Sequence, residues 1–190
     1  MDLSYSVIEH RAVAGLIICA TLIAGCTYAV IPNAVPPVKG FDKESLSGIT
    51  LLVVNEEKNA QEYDILDDKG QTQGITANRQ AWSNALVETV ASELARRGAQ
   101  VRAKTSLMLG ISLPEITFNQ HHYNYQFKVK VVVSSSYGWT KTYEVTAESG
   151  SGLFETFEAV TDRLSGQVLA ESVKVMFSDT EFIAHIAGKL

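Results

Sequence analysis

The chain has 190 residues, 46% of them hydrophobic and 19% charged, and its formal net charge is −5. Such a composition suits one globular domain. Nothing in this acidic balance suggests a nucleic-acid partner, which needs a clustered basic face, whereas here only Arg96-Arg97 sets two basic residues side by side.

From Ala12 to Gly25 the sequence is apolar and uncharged over 14 residues. That is short of the roughly 20 needed to span a bilayer as a helix. An apolar run behind Arg11 that ends in small residues predicts a secretory signal peptide over residues 1–25, although Asp2 and Glu9 depart from the usual basic n-region. The run closes on Leu22-Ile23-Ala24-Gly25-Cys26, which resembles the lipobox of bacterial lipoproteins. The resemblance implies cleavage between Gly25 and Cys26 and acylation of the Cys26 thiol. Several acyl chains would anchor the protein stably in membrane lipid, since each buried methylene contributes about 0.8 kcal/mol. Cys19 would leave with the signal, so no intramolecular disulfide is expected. The residue after Cys26 is Thr27 and not Asp, which predicts the periplasmic face of the outer membrane.

Residues 26–47 carry Pro32, Pro36 and Pro37 and are read as the lipidated cysteine followed by an extended tether. Fully extended, at about 3 Å per residue, it would reach some 60 Å from the lipid. Ile31, Val35 and Val38 could still rest on the domain surface. Residues 48–190 are read as a single periplasmic domain.

Within that domain Gly48–Val54 is a short β-rich run and the first expected strand. Asn55–Gly74 is polar, with a turn at Asp67-Asp68-Lys69-Gly70. A helix is predicted from Ala77 or Asn78. Its apolar stripe is Trp82, Leu86, Val90 and Leu94, opposite a polar face of Glu88, Ser92, Glu93 and Arg96, and Gly98 is its C-cap. A strand with odd-numbered apolar positions Leu107–Leu113 changes phase at Pro114, which predicts a bulge. Tyr123, Tyr125, Phe127, Val129, Val131 and Val133 share one face of the next strand. Trp139, Tyr143, Val145 and Ala147 share one face of another. A helix over about Phe154–Phe177 carries the stripe Phe157, Val160, Leu164 and Val168, and a short helix capped near Asp179 ends the chain. The order β-α-β-β-β-α-α predicts an α+β fold: a two-layer sandwich with a mostly antiparallel four-stranded sheet and two long helices on one face.

With these elements placed, the chain resembles the YajG-type family of small bacterial lipoproteins. The resemblance rests on the lipobox at Cys26, Ala95-Arg96-Arg97-Gly98, Tyr123-Asn124-Tyr125, Thr140-Lys141-Thr142-Tyr143 and Asp179-Thr180-Glu181-Phe182-Ile183. More loosely it is similar to the auxiliary lipoproteins of envelope ABC transporters. Neither resemblance implies a catalytic motif, and the function of the YajG-type family is uncharacterised.

The candidate chemistry is sparse. His121-His122 could be metal ligands, but adjacent strand residues point to opposite faces and no further ligands stand nearby, so a solvated hairpin turn is the preferred reading. Ser149-Gly150-Ser151-Gly152 could hold an anion ahead of a helix, but it lacks the P-loop ending and reads as a connection. His185 reads as helix packing, and Asp67-Asp68 as a turn. No nucleophile elbow occurs. No catalytic residue, metal or other cofactor is therefore predicted. Tyr137 and Trp139, beside Gly138, are the candidate partner surface. The expected function is a non-enzymatic binding or assembly module of the envelope with an envelope protein partner. The alternative is an accessory subunit of a transport system handling lipid or another ligand. An enclosed apolar cavity between helices and sheet would favour that alternative, and a filled core would favour the first.

Overall fold

The computed structural model describes residues 27–32, 35–38, 45–150, 152 and 155–188. Strands β1 (Tyr28–Val30), β2 (Thr50–Asn55), β3 (Glu62–Leu66) and β4 (Thr72–Asn78) lead into helix α1 (Arg79–Arg96). Then follow β5 (Gln100–Val101), β6 (Met108–His121), β7 (Asn124–Ser135) and β8 (Thr140–Gly150), and the helices α2 (Phe157–Ser178) and α3 (Thr180–Ile186).

The eight strands form one mixed sheet, not the antiparallel four-stranded sandwich expected from the sequence. Its axis is the long strand β6. One edge of β6 carries β7 and then β8 in antiparallel register. The other edge is shared end to end by two parallel partners. β2 pairs with Met108–Ile111, and β3 meets β6 at Thr117. The register of β6 slips between Ser112 and Glu115, around Pro114, as the change of hydrophobic phase predicts. Beyond β2 lies β5, and beyond β3 lie β4 and β1, so the sheet forks at the bulge.

Two physical causes hid this plan. The β3–β4 hairpin buries only Ile65, Ile75 and Ala77 fully, so its sequence reads as polar loop. β1 is three residues long and stands beside prolines, yet Val30 is fully buried and pairs with Ala77. The segment read as a tether therefore supplies an edge strand, and Leu46 near its far end is buried too.

The helices occupy the inside of the curl. Asn78 caps α1 by accepting from the Ala81 amide, and Gly98, at φ +94°, follows the helix end. Trp82, Leu86, Val90 and Leu94 are all fully buried, as are Val160, Leu164 and Val168 of α2. Trp82 Nε1 donates to the Val30 carbonyl at 2.9 Å, and its ring centroid lies 5.3 Å from that of Phe127. Phe118 continues the cluster, 4.8 Å from Phe127 and 5.9 Å from Phe157. This interior is filled by interlocking rings and aliphatic side chains.

One residue expected on the polar face of α1 is inside. The Glu93 side chain is only 4% exposed because two arginines meet it. Arg96 binds both its oxygens, at 2.7 and 2.6 Å, and Arg97 Nε binds Oε1 at 2.7 Å. Arg97 also lies over the Phe177 ring at 4.6 Å, which ties the end of α1 to α2.

Candidate functional site

The proline-bearing segment before β2 lies on the domain and walls two open grooves. Pro32 is buried, and Val35 and Val38 pack against the core, while Pro36 and Pro37 stay exposed. Towards α1 the segment walls an open groove of about 400 Å³ with Ala85, Glu88, Thr89, Ser92 and Arg96. Towards β8 and α2 it walls a second, of about 530 Å³, with Thr146, Glu148, Gln167, Ala170, Glu171 and Lys174. Proline rings hold fixed backbone angles, so these walls are stiff. Both grooves mix apolar surface with carboxylates and cations, a lining suited to an extended polypeptide or another amphipathic ligand. In the second groove Lys174 already pairs with Glu171, at 3.2 Å.

The second feature is the β7–β8 turn and the short helix beneath it. Tyr137, at the turn, is 65% exposed. Trp139 instead folds back over α3. Its ring stacks on His185 at 4.9 Å, and its Nε1 donates to Glu181 Oε1 at 3.1 Å. The two residues picked out as a partner surface therefore stand differently, Tyr137 outward and Trp139 against its own helix. Lys141 joins the same cluster, 2.8 Å from Asp179 and 2.5 Å from Glu181. Tyr143 Oη donates to Asp179 at 2.7 Å.

The charges of this cluster are locked. Burial alone would raise the Asp179 carboxyl, but hydrogen bonds from Lys141 and Tyr143 outweigh it and hold the group below its ordinary range. Glu181 is lowered by its bonds from Lys141 and Trp139, while Lys141 is raised by both carboxylates. Burial, then the Asp179 bond, pushes the Tyr143 phenol well above its ordinary value.

His185 Nε2 lies 2.9 Å from Ser135 Oγ, a serine–histidine pair that no sequence spacing announces. Among the described residues no carboxylate bonds its other ring nitrogen, and Trp139 covers one ring face. The arrangement fits a packed histidine better than a base poised over a nucleophile.

The other predicted positions fall as follows. Gly25 and Cys26 lie outside the described residues, as does residue 151 of the Ser-Gly run. Ser149 accepts from Arg163 Nη1 at 2.8 Å, and the Gly152 amide donates to Glu155 Oε2 at 3.2 Å. A carboxylate of the chain itself thus takes an amide that an anion would need. His121 ends β6, and His122, at φ +55°, makes the exposed turn with Tyr123. Tyr123 is 77% exposed and lies off the aromatic face on which the sequence places it, because β7 begins only at Asn124. Among the described residues no three His, Cys, Asp or Glu side chains gather to hold a metal, and no helix is long and apolar enough to cross a membrane. The composition of residues 26–47 does not announce the proline-walled grooves, since prolines at this spacing are equally those of an extended spacer.

No family model matches the chain, and no curated protein sequence matches it either. The YajG-type likeness therefore stays a resemblance. Among solved structures, the fold is similar to that of protein XCC0632 from Xanthomonas campestris, of family DUF330. The two are 15% identical over 86% of this chain and 96% of that one, with a TM-score of 0.53. A protein of Caulobacter crescentus CB15 provisionally classed as a lipoprotein is 14% identical, covering 74% of this chain and 92% of its own, with a TM-score of 0.45. A minor lipoprotein from Acinetobacter baumannii is 11% identical, covering 74% and 94%, with a TM-score of 0.44. At these identities the likeness concerns the fold alone, and the last two are too distant to support an argument.

Proposed function

We propose that the protein is a bacterial envelope lipoprotein, cut between Gly25 and Cys26 and acylated on Cys26. It stands on the periplasmic face of the outer membrane as a non-enzymatic binding or assembly module. The observation that carries this reading is the sequence Ile23-Ala24-Gly25-Cys26 just ahead of the fold. The first strand starts at Tyr28, two residues after Cys26, so cleavage there leaves every described strand and helix intact.

The filled interior favours a binding module over a carrier of enclosed ligand. Trp82, Phe118, Phe127 and Phe182 take up the space between helices and sheet. The grooves beside Pro36 and Pro37 are open and suit a segment of an envelope protein. Outer-membrane residence follows from Thr27, where Asp would retain a lipoprotein in the inner membrane by the enterobacterial sorting rule.

The test is labelling with palmitate in cells that express the wild type or Cys26→Ser. Label in the wild type and its loss in the variant support the reading, and equal label in both defeats it. Cross-linked pull-down from native membranes then identifies the partner, and fractionation reports the membrane.

A further inference from the structure

The fold brings four chain features to one end of the molecule. Tyr28, which opens β1, pairs in parallel with Ile75 midway along β4, so the chain before it runs back towards the start of β4. The β3–β4 turn before it is held to the end of β6: the Asp68 amide donates to Asn119 Oδ1 at 3.1 Å, and Asn119 Nδ2 donates back to Asp68 at 2.9 Å. β6 then closes on the His122-Tyr123 turn, and Asn124 beyond it pairs with both His121 and Gly150. The Tyr137 turn lies at the opposite end of the same strands.

We infer that this end, led by Tyr123 and Lys69, rests directly on a lipid bilayer. The inference rests on acylation of Cys26. Only Thr27 separates Cys26 from Tyr28, so the two positions lie at most about 7 Å apart even when the chain is extended. β1 is fixed in the sheet by its pairing with β4 and by the bond from Trp82 to Val30. An acyl chain on Cys26 therefore leaves the domain no long leash, in contrast to the 60 Å reach that a free tether would give.

The chemistry of this end suits headgroups. Tyr123 offers an exposed ring and hydroxyl at a turn tip, the amphipathic side chain favoured at membrane interfaces. Lys69 is exposed at the other tip, where an ammonium can meet lipid phosphate. The neighbouring Asp67 carboxylate is turned back into its own loop, accepting from the Lys69 and Gln71 amides at 2.9 and 2.8 Å.

The test uses the full-length gene expressed in its host, the processed protein reconstituted in phosphatidylethanolamine–phosphatidylglycerol vesicles with lipid brominated near the headgroup. Tyr123→Trp and Tyr137→Trp each add one reporter, at opposite ends of the domain. The added emission at position 123 should be largely quenched and that at 137 should survive. Equal quenching at both, or none at 123, overturns the inference. The mass of the N-terminal peptide from the same sample separates the two failures. An acylated Cys26 without quenching at 123 defeats only the orientation, and an unmodified Cys26 defeats the anchor and the orientation with it.

Discussion

Tyr28 Oη donates a 2.8 Å hydrogen bond to Asp162 Oδ1, joining the edge strand of one sheet arm to the helix that covers the other arm. β1 belongs to the β3–β4 arm, whereas α2 packs on β7 and β8. The bond closes the curl across the molecule. Tyr28→Phe removes a part-buried bond to a charged group and should cost about 1.5–3 kcal/mol in chemical denaturation.

The same bond has a pH signature. Burial and the Asp162 carboxylate push the Tyr28 phenol up to about 12. The folded value exceeds the unfolded one of about 10, so this stabilisation is complete below pH 10 and is lost as pH rises towards 12. Tyr28→Phe should flatten the loss of stability within that window, measured against the wild type. An unchanged slope would show that the bond is not formed in solution.

The core is the second target. Leu86→Ala and Leu164→Ala each empty a fully buried site facing the sheet and should cost about 2–5 kcal/mol. Thr142→Ala and Lys128→Ala lie on the outer face and should cost well under about 1 kcal/mol; Lys128 there holds only a loose 3.8 Å pair with Glu144. Comparable losses in both sets would mean that the outer face is covered.

The Glu93 cluster gives the third prediction. Burial raises this carboxyl, but bonds from Arg96 and Arg97 prevail and hold it below its ordinary value. Its contribution is thus present above about pH 4.3 and is lost as pH falls through the lower folded value. Glu93→Ala removes the buried carboxylate that accepts from both Arg96 and Arg97 and should cost about 1.5–3 kcal/mol at neutral pH. Glu93→Gln should also weaken the acid dependence of stability.

Gly110 offers a fourth. A Cβ there would stand 2.1 Å from the Glu56 carboxylate, which lies across the strand and accepts from Ser134 Oγ at 2.9 Å. Gly110→Ala must therefore swing away the flexible, exposed end of Glu56 and break its bond from Ser134, at a cost of about 0.5–1.5 kcal/mol. Glu56→Ala in the same chain should recover most of that loss, as a double-mutant cycle would show.

What the sequence revealed and hid follows from burial. Helices α1 and α2 and the strands β6 to β8 bury long one-sided stripes, so Trp82-Leu86-Val90-Leu94 and Phe127-Val129-Val131-Val133 announce them. Pro114 marks the bulge correctly. The β3–β4 hairpin rests on a few core residues, chiefly Ile65 and Ile75, within a polar stretch and gives no alternation to read. Parallel pairing of β2 with β6 joins residues more than fifty positions apart and has no local signal. Tyr123 continues the alternation of β7 in sequence but belongs to the turn, because His122 adopts a left-handed conformation just before it. Pro36 and Pro37 look like spacer residues by composition, and only the packing of Val35 and Val38 shows that they wall two grooves.

The most direct test of the central claim is the mass of the N-terminal peptide of the protein taken from its own membranes. Cleavage and acylation predict a peptide that begins at Cys26 and carries the mass of a diacylglyceryl group. A peptide that still contains Gly25, or a Cys26 with a free thiol, would contradict the account.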